Sequence, residues 1–65
     1  MTPDAPIDYW VRVGRRSFRH YDGHEAFHDG WLYKAVRIEP DGRRRVCLFS
    51  RLSDAKRWAE TGELQ

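Results

Sequence analysis

The sequence predicts an α+β fold: a small antiparallel sheet of three or four strands with one C-terminal helix packed on one face. Three observations carry this. Residues 31–39 and 43–51 are two β-forming runs joined by Pro40-Asp41-Gly42, a hairpin turn. Residues 8–13, Asp8-Tyr9-Trp10-Val11-Arg12-Val13, alternate and are rich in β formers. Residues 53–61 place apolar side chains on one helical face between a capping serine and a glycine stop.

Taken in chain order, Met1-Thr2-Pro3-Asp4-Ala5-Pro6 has neither the basic region nor the apolar core of a signal peptide, so residues 1–7 are expected to be a frayed tail. The sheet is expected over 8–51. After the 8–13 strand, Gly14 punctuates, and Arg16-Ser17-Phe18-Arg19-His20-Tyr21 is either a return strand or an extended loop. Asp22-Gly23 and Asp29-Gly30 are turn signals bracketing His24-Glu25-Ala26-Phe27-His28, which is expected to be a loop, with one helical turn at most.

The turn then sets the hairpin register. Pro40 presets φ, Asp41 suits the next position, and Gly42 accepts the positive φ of a bulge. Glu39 should therefore face Arg43, Ile38 face Arg44, and so on back to Trp31 with Arg51. Strand alternation sorts the side chains into two faces. One carries Leu32, Lys34, Val36, Ile38, Arg44, Val46, Leu48 and Ser50. The other carries Trp31, Tyr33, Ala35, Arg37, Arg45, Cys47, Phe49 and Arg51. In the helix, Ser53 is the expected N-cap, Asp54 suits the first turn and Gly62 ends it. Leu52, Ala55, Trp58 and Ala59 share a face, expected to cover the aliphatic set Leu32, Val36, Val46 and Leu48.

At 65 residues the chain is read as one domain near the lower limit of unaided folding. A single cysteine excludes an internal disulfide and points to the cytoplasm. No apolar run approaches ~18 residues, so no transmembrane helix is expected. Ten of the twelve cations are arginine, a preference that suits bidentate contact with phosphates, bases and carboxylates. They gather at 12–19 and 43–45, so a net charge of only +2 still allows a local basic patch.

The candidate binding residues follow from the second hairpin face: Trp31, Tyr33, Arg37, Arg45, Phe49 and Arg51. If the helix takes the aliphatic face, this one stays open. The alternative buries its aromatics beneath the first strand or the 14–29 segment; alternating arginines, hard to bury, favour a binding surface. Arg43-Arg44-Arg45 directly after the turn, in company with Arg12, Arg15, Arg16 and Arg19, is a candidate phosphate-contact run, although three arginines are more often a solvated charge run. His20, His24 and His28 recur every four residues and on a helix could hold zinc, but the flanking glycines favour solvent-exposed loop histidines, and no metal is expected. Cys47 lies mid-strand, with no helix N-terminus to activate it. No nucleophilic triad, carboxylate pair or glycine-rich phosphate loop is present, so the chain is read as a binding protein, without catalytic residues or cofactor.

With Trp31, the Pro40-Asp41-Gly42 turn, the basic strand ending Leu48-Phe49, and Ser53-Asp54-Ala55 opening a helix that carries Trp58-Ala59, residues 31–60 resemble the three-stranded-sheet DNA-binding domain. That domain occurs in plant ethylene-response factors and at the amino end of tyrosine recombinases. The resemblance implies an accessory DNA-binding protein whose sheet face enters the major groove, with contacts from Arg37, Arg45, Trp31 and Tyr33. A rival class fits the same surface: a phage or mobile-element protein that inhibits a host protein complex, as anti-CRISPR proteins do, since Trp, Tyr and Arg also dominate protein hot spots. A homodimer burying that face is a third option.

Overall fold

A computed structural model describes residues 9–64; the expected tail at 1–7 and residue 8 lie outside them. Six elements follow one another: β1 (Trp10–Gly14), β2 (Ser17–His20), β3 (Glu25–His28), β4 (Tyr33–Ile38), β5 (Arg44–Phe49) and α1 (Leu52–Thr61). The strands form one antiparallel meander in the order β1-β2-β3-β4-β5. The α+β class and the C-terminal helix are as expected, whereas the sheet has five strands rather than three or four.

The added strand is β3. Residues 24–28 were expected to be a loop, because four strand residues are too few for alternation to stand out. Long-range pairing decides otherwise. Ala26 sits opposite Phe18 on one side and Ala35 on the other, which no local propensity encodes. For residues 16–21, the strand alternative is the one realised.

The β4–β5 register is the one the turn demands. Ile38 faces Arg44, Arg37 faces Arg45, and the ladder runs on to Tyr33 with Phe49. The Glu39 N–H donates to the Arg43 carbonyl at 2.8 Å and Gly42, at φ +89°, turns the chain. Pairing stops before Trp31 because Asp29 bends the chain there. Its Oδ1 accepts from the N–H groups of Leu32 at 3.2 Å and Trp31 at 3.3 Å, an Asx arrangement that takes both residues out of the strand.

Helix α1 begins one residue before Ser53, so Arg51, not Ser53, is the N-cap, and no side chain caps it. The C-terminal stop is as expected. Gly62 adopts the left-handed conformation, and its N–H donates to the Trp58 carbonyl at 2.6 Å.

The face that the helix covers is the reverse of the one expected. Ala55, Trp58 and Ala59 pack with Trp10, Ala26 and Ala35, and Phe18, Tyr33, Cys47, Phe49 and Leu52 join them. That is the Tyr33/Ala35/Cys47/Phe49 face. The reason is size. Ala26 and Ala35 face each other across β3 and β4, both 0% exposed, and make a shallow trough in the sheet. Two further alanines, Ala55 and Ala59, let the helix backbone settle into it. Side chains such as Val36 and Leu48 would hold a helix farther off. The helix lies chiefly over β4, flanked by β3 and β5.

Two substitutions test this facing. Trp58→Ala is expected to cost about 3–5 kcal/mol, close to the whole stability of a domain this small. Ala35→Leu should cost ~1–3 kcal/mol by lifting the helix, whereas Val11→Ser, on the half-exposed opposite face, should move the melting temperature little. A melting temperature insensitive to Ala35→Leu would mean that the helix rests elsewhere.

Candidate binding surface

The covered face accounts for several arginines that alternation marks as recognition residues. Arg37 is mostly buried. Its Nε donates to Glu39 Oε1 at 3.1 Å, and its Nη1 donates to the Ala59 carbonyl at 2.7 Å. The helix has no basic residue in its own last turn, so β4 supplies the cation that its C-terminus favours. Gly62 is favoured for its φ of +76°, and a Cβ there, 2.8 Å from Arg37 Nε, would push that side chain aside. Arg45, half exposed, donates to the same Glu39 carboxylate at 3.2 Å and lies 5.6 Å from the Trp58 ring centre. Tyr33 and Phe49 pack against the core. The expected common surface of Trp31, Tyr33, Arg37 and Arg45 is thus largely a helix-docking surface, and Arg37 is part of the packing rather than dispensable to it.

The remaining candidates scatter. Trp31 is 91% exposed at the β3–β4 turn, held out by the Asp29 bonds. Successive turns of a meander alternate between ends, so Arg16 at the β1–β2 turn and Arg51 before α1 share Trp31's end of the molecule. Arg43 lies at the other end, exposed and 3.3 Å from Asp41. Arg19 is exposed on the face away from the helix.

That uncovered face is what the sequence reading missed. The registers align Val11, Arg19, Glu25, Val36 and Val46 in one row across all five strands, and Ser17, Phe27, Lys34 and Leu48 in the next. Ile38 and Arg44 continue it toward the β4–β5 turn. Val46 and Leu48 remain 54% and 49% exposed, and Val11 44%. Lys34 extends over the Phe27 ring, 5.9 Å from its centre. Three cations, one carboxylate and several aliphatics therefore share a sheet face that no helix covers. The alternation was legible in the sequence; the choice of face was not.

The histidines are also repositioned. His20 and His24 are both buried at the β2–β3 turn, with ring centres 5.1 Å apart, while His28 packs on Tyr33 at the opposite end. Neither buried ring fits the expectation of a solvent-exposed loop histidine. Donor atoms of His20, Asp22 and His24 come within 4.8 Å of one another, a spacing that a metal could use. Hydrogen bonding opposes it. The N–H of Asp22 donates to His20 Nδ1 at 3.0 Å, and the N–H of Ile38 donates to His24 Nδ1 at 3.0 Å. A neutral imidazole accepting at Nδ1 carries its proton at Nε2, so neither ring keeps a spare lone pair for a cation. The pair is a structural clasp between the β2–β3 turn and the end of β4.

Comparison with protein-family models, curated proteins and solved structures finds no match to the chain. Among the described residues, no helix is long and apolar enough to cross a membrane.

Burial holds His24 below its ordinary value of 6.5, assisted by repulsion from His20 and Arg37 and opposed by Asp22 and Glu60. The unfolded chain then takes up the proton more readily than the folded one. The contribution is fully present above the ordinary value and is lost as pH falls from there through the folded one. Thermal melts between about pH 7.5 and about pH 5 should show the melting temperature falling with acidity, and His24→Asn should flatten that slope. An equal slope in the variant would remove His24 as the cause.

Proposed function

We propose that this protein is a small non-enzymatic module that binds duplex DNA through the open face of its sheet. The observation that supports the reading most is the placement of Arg19, Lys34 and Arg44 on the one extended face that α1 leaves bare. Small sheets and β-ribbons enter the major groove, where arginine and lysine reach guanine and aliphatic groups meet thymine methyls. Width limits how much can enter. Four strand spacings of about 4.8 Å separate β1 from β5, ~19 Å in all, against a groove about 12 Å wide. Two or three strands therefore enter, and the β4–β5 ribbon, carrying Lys34 and Arg44, is the natural wedge. In this reading Arg16, Arg43 and Arg51, at the two ends of the sheet, contact phosphates.

The resemblance to the ethylene-response and recombinase domains is kept in this proposal, with the contacts reassigned. Arg37 and Tyr33 serve the helix, so Lys34, Arg44 and Arg19 take their place, with Trp31 and Arg45 peripheral. A cytoplasmic location, suggested by the lone cysteine, belongs to the same reading. One observation favours a second reading, inhibition of a host protein complex: Val11, Val46 and Leu48 are half-exposed on the same face, a larger apolar share than groove contact requires.

Fluorescence anisotropy with labelled duplex DNA across a salt series tests the first reading. Affinity should fall steeply with salt. Replacing Arg19, Lys34 and Arg44 together by alanine should weaken binding and reduce the log–log slope by up to about three units. No affinity for duplex DNA, combined with capture of a defined protein from nuclease-treated lysate, would establish the second reading instead.

A further inference from the structure

The two edges of the sheet differ. At β1 the ladder is broken by a register shift between Arg12 and Gly14, an irregularity that blunts an edge against further pairing. At β5 there is no such break. Six consecutive residues from Arg44 to Phe49 run regularly along β4, and among the described residues no strand lies beyond them. The hairpin bond from the Glu39 N–H to the Arg43 carbonyl fixes the phase of the ladder. Antiparallel alternation then points the backbone groups of Arg45, Cys47 and Phe49 toward β4, and those of Arg44, Val46 and Leu48 outward. The outward row thus offers N–H and C=O groups flanked by two half-exposed aliphatic side chains. Helix α1 meets β5 on the face, through Cys47 and Phe49, and not along its outer backbone edge.

We propose that β5 pairs with β5 of a second copy of this chain, antiparallel about a two-fold axis at Cys47. The argument for a second copy is self-complementarity. Only registers that match outward groups with outward groups can form hydrogen bonds. Among these, the one centred on Cys47 sets Val46 against Leu48 and Arg45 against Phe49. Centring on Val46 would put Arg44 against Leu48, and centring on Arg45 would oppose like charges. One edge joins its own kind with apolar on apolar and cation on ring, and the broken β1 edge stops growth at two copies, a closed two-fold dimer rather than a filament. The product is a ten-stranded sheet whose open face is continuous. In the dimer β5 lies mid-sheet, so the β4–β5 ribbon would enter a groove only from the monomer; the test of the dimer needs no DNA.

In this register Cys47 meets its symmetry mate as a non-hydrogen-bonded pair, with Cα atoms about 4.5 Å apart, inside the range a disulfide spans. The cysteine is the reporter and needs no role of its own. Sedimentation equilibrium of the reduced full chain should give twice the monomer mass. Diamide, which accepts the two electrons and two protons released by the thiols, should link the copies through Cys47. Val46→Pro is the decisive variant. The Val46 N–H points away from β4, so the monomer loses no ladder bond, and proline is tolerated at that kind of edge position. The variant should keep the wild-type circular dichroism, sediment as a monomer and lose the crosslink. Leu48→Lys, on the same edge, should do likewise. Moving the thiol by Cys47→Ser with Leu48→Cys should lower the crosslinking yield. Three results would overturn the proposal: a monomeric wild type at every concentration, a dimer that survives both edge variants, or equal crosslinking from position 48.

Discussion

Four alanines decide how this molecule is built. Ala26 and Ala35 form a cross-strand pair, Ala55 and Ala59 face them from the helix, and all four are fully buried. None contributes much apolar area. Their contribution is the absence of volume, which lets a sheet and a helix of ten residues approach closely enough for the larger side chains around the rim to interlock. Trp58 is one of two tryptophans among these. It lies beside Phe49, 5.9 Å between ring centres, beneath the Arg45 guanidinium, with its indole N–H lacking an acceptor among the described residues. A buried donor left without a partner is tolerated where the ring's packing outweighs it.

Polar contacts at the rim then fix the helix's direction. Arg37 bonds the Ala59 carbonyl at the C-terminal end, and the Trp10 indole N–H donates to Glu60 at 2.5 Å. Lys56 reaches back across the sheet to within 4.5 Å of the Phe18 ring centre. These contacts join the helix to β4, β1 and β2, so strands that are distant in sequence share one anchor. A long arginine suits this role, because its stem packs along the sheet while its planar head satisfies a carbonyl and a carboxylate together.

The hairpin was legible in the sequence because its cause is local: a proline, an aspartate and a glycine set the turn, and the turn sets the register for the twelve residues paired beyond it. The helix was legible from its period and its glycine stop. The covered face was not, because counting aliphatic side chains favours the Val36/Leu48 side, while docking depends on which side has room. Ala35 carried that information, unread, opposite an alanine in a segment expected to be a loop. The site residues inherited the error. Arg37 and Arg45 are spaced as recognition residues are, yet one holds the helix terminus and the other stacks on Trp58. Burial of His20 and His24 follows from β3, and was hidden for the same reason.

The inverted facing has a consequence for what the surface can recognise. Had the helix taken the aliphatic side, the exposed face would have been aromatic and guanidinium, suited to stacking. With the alanine side covered, the exposed face is aliphatic with isolated cations at Arg19, Lys34 and Arg44. Such a face gains little from stacking and more from shape and from charge at fixed spacing, which a groove lined by regularly spaced phosphates presents. Its aliphatic part is concentrated on β5, the strand whose outer edge is unbroken, and its cations are distributed over β2, β4 and the turn-proximal end of β5. On the proposed readings, β5 offers its edge to another strand and the sheet offers its face to charge.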